Sequence, residues 1–292
     1  MRRLDPTVLG VFVLVTLIGG TNFVAVRFSN RELAPFWGAG LRFAIAGTLL
    51  LAYATWRRVP LPTGAALPGV VVYGVLNFGL TYALAYWGLQ QAPAAVAATL
   101  IALAPLVTLL LSVALGMERF RWGGLLGGLV SLAGVAIVFA DQLRLNVPFE
   151  ALVALLLQAF GVAGATVLLK RLPRTHPIAT NAVAMLPGAA LLLVLSLVAR
   201  ETFTLPTRPE VVTAFLYLVT IGAIGLFIGV VFVVQRWTAS ASSYVFVLFP
   251  LVTVAVGALL AGETVSAQFV IGALVVMAGT YVGAIAQPAA PS

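Results

Sequence analysis

A few polar side chains interrupt long apolar runs in this sequence, and Arg42 is the most unusual of them. It lies about 8 residues, or roughly 12 Å along a helix, from the start of the run 34–56. No Asp or Glu lies deep in any apolar run, so the sequence offers no obvious carboxylate partner. Polar groups in such settings are costly and often functional. Arg42 either attracts a carboxylate ligand or holds its helix to backbone carbonyls or to Asn22, and both interpretations stay open.

Other polar and aromatic residues within these runs could line a cavity with Arg42. Asn77 and Thr81 share one helical face at i, i+4, and aromatic residues share the next face. Aromatic walls suit a flat or amphipathic solute, although the same residues could simply pack against neighbours or lipid. The candidate binding residues are Asn22, Arg42, Asn77, Phe78, Tyr82, Thr99, Phe227, Tyr244 and Phe246.

Two apolar runs carry the same four residues, Pro-Leu-Val-Thr, beginning at Pro105 and at Pro250. A proline within a helix removes a backbone hydrogen bond and crowds the preceding turn. The carbonyls of Ile101 and Phe246, four residues earlier, are thereby freed for water or a ligand. We expect both prolines to act as hinges beside a cavity; the alternative is a static kink that fits neighbouring helices.

Composition places these runs in a lipid bilayer. Of 292 residues, 62% are hydrophobic and 8% are charged, with a mean hydropathy of +1.13, whereas soluble domains carry roughly 25% charged residues. A crossing needs about 20 apolar helical residues, and continuous runs such as 96–115 argue against the alternating pattern of a β-barrel. The predicted fold is an all-α integral membrane protein with ten transmembrane helices. The predicted spans are 7–28, 34–56, 66–90, 93–116, 122–141, 149–170, 177–199, 210–235, 238–261 and 266–286.

The charges predict how the spans are oriented. Ten of the 16 Lys and Arg residues fall on the side of the N-terminus and five on the opposite side. This excess predicts cytoplasmic N- and C-termini in the cell's inner (plasma) membrane. The formal charge of +8 is spread over the loops rather than clustered, so nucleic acid is not an expected partner. The expected partners are a small-molecule substrate and the bilayer, with the chain as a monomer.

The chain contains an internal repeat at a spacing of 145 residues. The same offset that relates the two prolines also pairs Glu118 with Glu263 and Gly134 with Gly279. The predicted copies are residues 1–145 and 146–292, with five helices each. Because five is odd, the second copy enters the membrane inverted, an arrangement that recurs in secondary transporters.

These motifs, taken in order, resemble the drug/metabolite transporter superfamily in its ten-helix EamA-type branch. The resemblance implies helices 1–4 and 6–9 around a central cavity, with helices 5 and 10 as supports, and it is nearest to bacterial amino-acid and metabolite exporters. The second-copy equivalent of the Arg-Phe motif is absent. The residues that carry the resemblance are Gly20-Thr21-Asn22-Phe23, Leu41-Arg42-Phe43-Ala44, Pro93-Ala94, Pro105-Leu106, Gly116-Met117-Glu118, Gly127, Gly134, Pro250-Leu251, Gly262-Glu263, Gly272 and Gly279.

The expected function is secondary transport by alternating access, as an exporter or facilitative carrier of neutral or aromatic amino acids. The alternatives are a carrier for drugs or nucleobase-like metabolites, and a membrane scaffold or channel. We expect no enzyme activity, cofactor or metal site, since the sequence has no Cys, a single His in a loop and no deep carboxylates.

Overall fold

A computed structural model describes residues 6–119, 122–144, 146–243, 245–262 and 265–282, and this part of the chain forms ten helical segments without a β-strand. Prolines begin several helices, where their missing N–H costs nothing. The prediction of an all-α membrane fold is confirmed. The segments are α1 (Pro6–Ser29), α2 (Pro35–Trp56), α3 (Ala66–Gln91), α4 (Ala94–Ala114), α5 (Trp122–Arg144), α6 (Phe149–Arg171), α7 (Pro177–Val198), α8 (Pro209–Arg236), α9 (described as Ala239–Ser243 and Val245–Ala261) and α10 (Ala267–Thr280).

Seven of the described helices are long and apolar enough to cross a membrane, namely α1–α4 and α6–α8. The other three contain shorter apolar helices, given as Leu126–Asp141, Val245–Leu260 and Ala267–Thr280. We call the end of the bundle at which α1 begins the near side, and the end at which α1 stops the far side.

The helix pairings relate the two halves of the bundle. Helix α2 packs on α7, α5 on α10, α1 on α9, and α4 on α6. Exchanging each helix for its equivalent five helices along the chain leaves this set of pairs unchanged. Since each half has five crossings, the two halves run in opposite directions through the bundle, as the repeat predicted.

One wide helical turn occurs at equivalent places in α3 and α8. The π-helical segments are Val75–Thr81 and Thr220–Gly225, and their first residues are 145 positions apart. Such turns are rare and are common at functional sites. Each segment has residues buried inside the bundle, among them Asn77 in α3 and Gly222 in α8. Gly74 and Gly188 let α3 approach the backbone of α7 closely.

Helices α5 and α10 form a separate pair joined through small residues. A Cβ on Gly134 would lie 2.8 Å from the Gly272 carbonyl oxygen, so this crossing has no room for a side chain. The Ser131 hydroxyl donates to the Val276 carbonyl at 3.2 Å and lies the same distance from the Thr280 hydroxyl. This pair lies beside the eight other helices, in the supporting position that the resemblance implied.

The two repeated prolines have different surroundings. At Pro105, α4 is interrupted between Ile101 and Ala104, and the N–H groups of Ala102 and Leu103 make tighter i→i−3 bonds of 3.2 Å. Pro250 lies inside the continuous helix Val245–Ala261. A hinge role for either residue stays a prediction, and the interruption favours Pro105.

Candidate solute-binding cavity

A cavity lies between the two repeats and is bounded by α1, α2, α3, α4, α6, α8 and α9. The empty space among its lining atoms, including the part that is open to solvent, is about 760 Å³. Residues of α5 and α10 are not among its described lining. The polar lining residues are Asn22, Arg42, Tyr73, Asn77, Tyr82, Tyr86, Gln158 and Thr166, and the Phe residues are Phe23, Phe227, Phe246 and Phe249.

Arg42 is fully buried and joins three helices at the cavity wall. Its Nη2 donates to the Gly222 carbonyl of α8 at 2.7 Å, and its Nη1 donates to the Tyr86 hydroxyl of α3 at 3.2 Å. The guanidinium carbon lies 5.0 Å from the Phe43 ring centroid and 5.4 Å from that of Tyr82. Carbonyl and ring faces stabilise a cation where water is scarce. The guanidinium keeps further N–H groups, among them Nε, which has no partner within the described chain.

The Gly222 carbonyl that accepts from Arg42 lies in the wide turn of α8. It also accepts a hydrogen bond from Asn22 Nδ2 of α1 at 3.0 Å. A Cβ on Gly222 would lie 2.5 Å from Asn22 Oδ1 and 3.3 Å from Arg42 Nη2, so a larger residue does not fit. Asn22, Arg42 and Gly222 thus form a junction, hereafter the Gly222 junction, that ties the first repeat to the second.

Aromatic rings form one wall of the cavity. Tyr82 and Phe227, paired in the sequence by the 145-residue offset, have ring centroids 5.9 Å apart. Phe43 contacts Tyr82 edge to face at 4.7 Å, and Phe78 contacts Phe227 in the same way at 4.6 Å. These offset geometries are the favourable ones for aromatic pairs. The lining rings of Tyr82 and Phe227 are therefore held by a second layer, Phe43 and Phe78.

The cavity brings together most of the residues that the sequence singled out. Six line it, Phe78 lies behind the lining, and Tyr244 is outside the described residues. Thr99 is fully buried within α4, and its hydroxyl donates to the Ala95 carbonyl at 2.9 Å. It packs between helices and is not among the lining residues. The six lining residues are Asn22, Arg42, Asn77, Tyr82, Phe227 and Phe246.

Sequence reasoning missed Tyr73 and Phe249. Tyr73 precedes Asn77 by one helical turn, and its hydroxyl accepts from Asn77 Nδ2 at 3.3 Å. That i, i+4 spacing was a usable signal. Ile101 and Phe246, whose carbonyls the prolines were expected to free, both line the cavity. Among the described residues, no group of three or more His, Asp or Glu side chains could hold a metal ion.

Two carboxylates join the loops at the far side by reciprocal helix capping. Glu201, between α7 and α8, accepts from the Phe36 and Trp37 N–H groups at the start of α2, at 3.1 and 2.8 Å. Glu32, between α1 and α2, accepts from the Thr207 and Arg208 N–H groups before α8, at 2.8 and 3.1 Å. Carboxylates are favourable at helix N-termini. We call these six residues and Thr204, which accepts at its carbonyl from Trp37 Nε1 at 2.7 Å, the loop clasp.

The electrostatics of the loop clasp depend on ionised Glu32. Its pKa lies below the ordinary value of 4.5, first because the Thr207 N–H donates to it and also through Arg208 and the Thr207 hydroxyl, while desolvation opposes this. Arg208 Nε lies 3.4 Å from the carboxylate, but the arginine side chain is 61% exposed, so the ion pair adds little.

The near side is joined by different contacts. Glu118, after α4, accepts from the Ser240 N–H and hydroxyl of α9 at 3.3 and 2.7 Å. Lys170 of α6 donates to the carbonyls of Val234 and Trp237 at the end of α8, at 3.0 and 2.5 Å. Cations near a helix C-terminus stabilise it.

The chain matches the EamA-like transporter family twice, over residues 7–140 and 150–284. It belongs to that family. The two matches cover both halves of the bundle and support its two-repeat architecture. The protein is therefore a membrane transporter and not an enzyme.

Similar proteins carry related descriptions. An "Uncharacterized inner membrane transporter YedA" from Escherichia coli is 30% identical over 91% of this chain and 86% of its own length. An "Uncharacterized transporter" from Archaeoglobus fulgidus is 26% identical over 93% of this chain and 96% of its own length. A "Probable terminal-alkyne amino-acid exporter" from Streptantibioticus cattleyicolor is 30% identical over 43% of this chain and 42% of its own length.

The fold also matches a solved crystal structure. The two superpose with a TM-score of 0.68 over 97% of this chain and all of the other, at 20% identity. At this identity the match supports the fold alone.

Proposed function

We propose that this transporter carries neutral or aromatic amino acids through the cavity by alternating access. The observation that carries the proposal is one buried cation, Arg42, beside an aromatic wall in a cavity whose described lining contains no carboxylate. A carboxylate on the solute complements Arg42, and an apolar side chain complements Tyr82 and Phe227. The described lining has no carboxylate to pair with the solute's ammonium group, and the solute's own carboxylate provides that negative charge.

The charge inventory argues against other solute classes. A bare organic cation needs a carboxylate to replace its lost hydration, and the described lining offers none. A phosphate ester usually recruits several Arg or Lys contacts, and Arg42 is the sole Arg or Lys among the described lining residues. A zwitterion with an apolar side chain fits a single cation and a ring wall.

The relatives support the solute class and the direction. One similar protein bears the name of an amino-acid exporter, and another that of an inner membrane transporter. We infer export across the inner membrane, with the near side and both termini in the cytoplasm as the charge bias predicts.

The transport cycle follows from the repeat. The loop clasp joins the repeats across the far side, whereas the cavity lining reaches Leu169, one residue from Lys170 near the other end. Two inverted, equivalent halves can exchange these packings, which would open the far side and close the near side. No carboxylate in the described lining offers a proton-carrying group, so we propose a facilitative carrier or exchanger.

The test is counterflow in liposomes containing purified protein, without an imposed ion gradient. Twenty amino acids and a few nucleosides are offered as competitors of labelled L-phenylalanine. Saturable uptake with competition by neutral and aromatic amino acids is the expected result. Absence of phenylalanine counterflow together with saturable counterflow of a labelled nucleoside would favour the nucleobase-like class, and flux that requires a proton gradient would contradict the facilitative mechanism.

A further inference from the structure

Gln158 of α6 lines the cavity without making a hydrogen bond to any described part of the protein. Its side chain is 4% exposed, and its Oε1 atom has no partner there. Buried amides are nearly always hydrogen-bonded, so an unsatisfied one in a cavity calls for a ligand or water. Asn22 Oδ1 and Arg42 Nε in the lining also lack a partner among the described residues, but both side chains make other hydrogen bonds to the protein.

The neighbouring amides and hydroxyl already have protein partners. Asn22 donates to the Gly222 carbonyl, and Asn77 donates to the Tyr73 hydroxyl. The Thr166 hydroxyl donates to the Val162 carbonyl at 2.8 Å. Gln158 is thus the amide whose hydrogen-bonding capacity remains entirely open among the described lining residues.

Packing of α6 on α3 fixes the height of Gln158 in the cavity. Leu155 packs against Gly88, and Gly161 packs against Thr81. Gln158 lies between these two contacts along α6, so it stands level with the Tyr82–Tyr86 turn of α3. The Tyr86 hydroxyl is also the group that accepts from Arg42. The open amide and the guanidinium therefore stand around the same turn of α3, on different helices.

We propose that Gln158 determines specificity by accepting a hydrogen bond from the amino group of the transported solute, while Arg42 faces its carboxylate. This rests on the proposed amino-acid transport. A free amide can turn about its last torsion to present its oxygen, and an amide oxygen is a weaker acceptor than a carboxylate. The amide oxygen would therefore bind the ammonium group of a solute that also carries a carboxylate of its own. It would not by itself bind a bare cation.

The experiment measures inhibition constants in L-phenylalanine counterflow for three competitors: L-phenylalanine, 3-phenylpropanoate, which lacks the amino group, and phenethylamine, which lacks the carboxylate. Wild-type protein should bind L-phenylalanine about tenfold more tightly than 3-phenylpropanoate. Gln158→Leu should remove that preference by weakening L-phenylalanine alone. Gln158→Glu keeps an acceptor and should retain the preference while improving competition by phenethylamine.

Asn181→Leu is the matched control. It removes a buried amide from α7 that does not line the cavity, so it should leave the ratio of the inhibition constants unchanged. Thermal unfolding of each variant in detergent checks that the protein is folded. If wild-type protein recognises no amino acid, the proposed function fails and this proposal with it. If it does, and Gln158→Leu keeps the wild-type ratio, this proposal alone fails.

Discussion

At the residue scale, Arg42 bonds to the backbone of the opposite repeat while bordering the cavity. The sequence left open whether it binds a carboxylate or holds its helix. Its bonds to the Gly222 carbonyl at 2.7 Å and to the Tyr86 hydroxyl at 3.2 Å account for the second role. The first role remains our proposal. A guanidinium has five N–H donors, so the two observed bonds leave others for a solute.

The Gly222 junction predicts a position-specific cost for a single methyl group. Gly222→Ala places a Cβ 2.5 Å from Asn22 Oδ1, whereas at Gly225 of the same turn the nearest atom is 3.9 Å away. Overpacking of this kind costs about 1–3 kcal/mol. Gly222→Ala should lower the thermal unfolding midpoint in detergent and reduce counterflow, and Gly225→Ala is the control. Equal effects of the two substitutions would contradict this account of the junction.

The aromatic wall predicts a change in solute preference. Tyr82→Ala removes one ring of the lining while Phe227 remains, so competition by aromatic amino acids should weaken more than competition by alanine, by about threefold to tenfold. Counterflow inhibition constants for phenylalanine and alanine measure the ratio. Tyr53→Ala, at a 42% exposed position of α2, is the control. A uniform loss for both solutes would indicate a packing role instead.

The wide turn of α3 explains which lining residues the sequence could identify. Helical spacing of 3.6 predicted that Asn77 and Thr81 share a face. In the π-helical segment the Thr81 hydroxyl donates to the Leu76 carbonyl five residues back, and Thr81 packs against Gly161. Residues five apart, Asn77 and Tyr82, line the cavity together. No sequence pattern marks such a turn. The sequence therefore identified the polar candidates of α3 but not which of them share the face that lines the cavity.

At the element scale, apolar runs were sufficient to predict ten helices, while irregularities within them were not. The Pro-Leu-Val-Thr motif occurs twice, yet α4 is interrupted before Pro105 and α9 continues through Pro250. Proline removes a donor in both helices, but neighbouring helices decide whether the chain breaks there. Similarly, the loop sequences gave no sign that Glu32 caps the start of α8 and that Glu201 caps the start of α2.

The loop clasp predicts that closure of the far side depends on carboxylate charge. Glu32→Gln with Glu201→Gln should weaken the caps, and acid should act in the same way. Because the pKa of Glu32 is lowered, its stabilising contribution is present above the ordinary value of 4.5 and is lost as the pH falls through the lower, folded-state pKa. Spin labels attached to cysteines that replace Arg31 and Thr202 should then lie farther apart, as measured by double electron–electron resonance.

Glu210→Gln is the control for this experiment, since Glu210 lies in the first turn of α8 beside the clasp and is exposed. It changes the loop's charge but leaves both caps. Label distances that stay the same in the double variant and at low pH would show that the far side is closed by other contacts.

At the scale of the whole molecule, the two repeats place equivalent features at inverted positions. The wide turns of α3 and α8 begin 145 residues apart, as do the prolines of α4 and α9. The ligand-relevant polar groups do not repeat, since Arg42 corresponds to Pro187 of α7. The backbone scaffold is therefore close to symmetric, whereas the polar side chains of the cavity are not. A single solute site can thus serve two equivalent packings of the helices.

The inverted arrangement and the charge bias together predict the side of the membrane on which each loop lies. Single cysteines replacing Arg57 and Arg174, both at near-side loops, should react with a membrane-impermeant maleimide only from the cytoplasm. One replacing Thr202, at the far side, should react only from outside. All three positions are exposed, and the chain has no native cysteine, so unsubstituted protein is the blank.

Permeabilised cells, in which all three must react, control for accessibility. Arg57 and Arg174 belong to different repeats, so their labelling from one side and that of Thr202 from the other tests the inversion as well as the orientation. Labelling of Arg57 and Thr202 variants from the same side would contradict the ten-helix topology, whereas a consistent exchange of sides would contradict only the cytoplasmic placement of the termini.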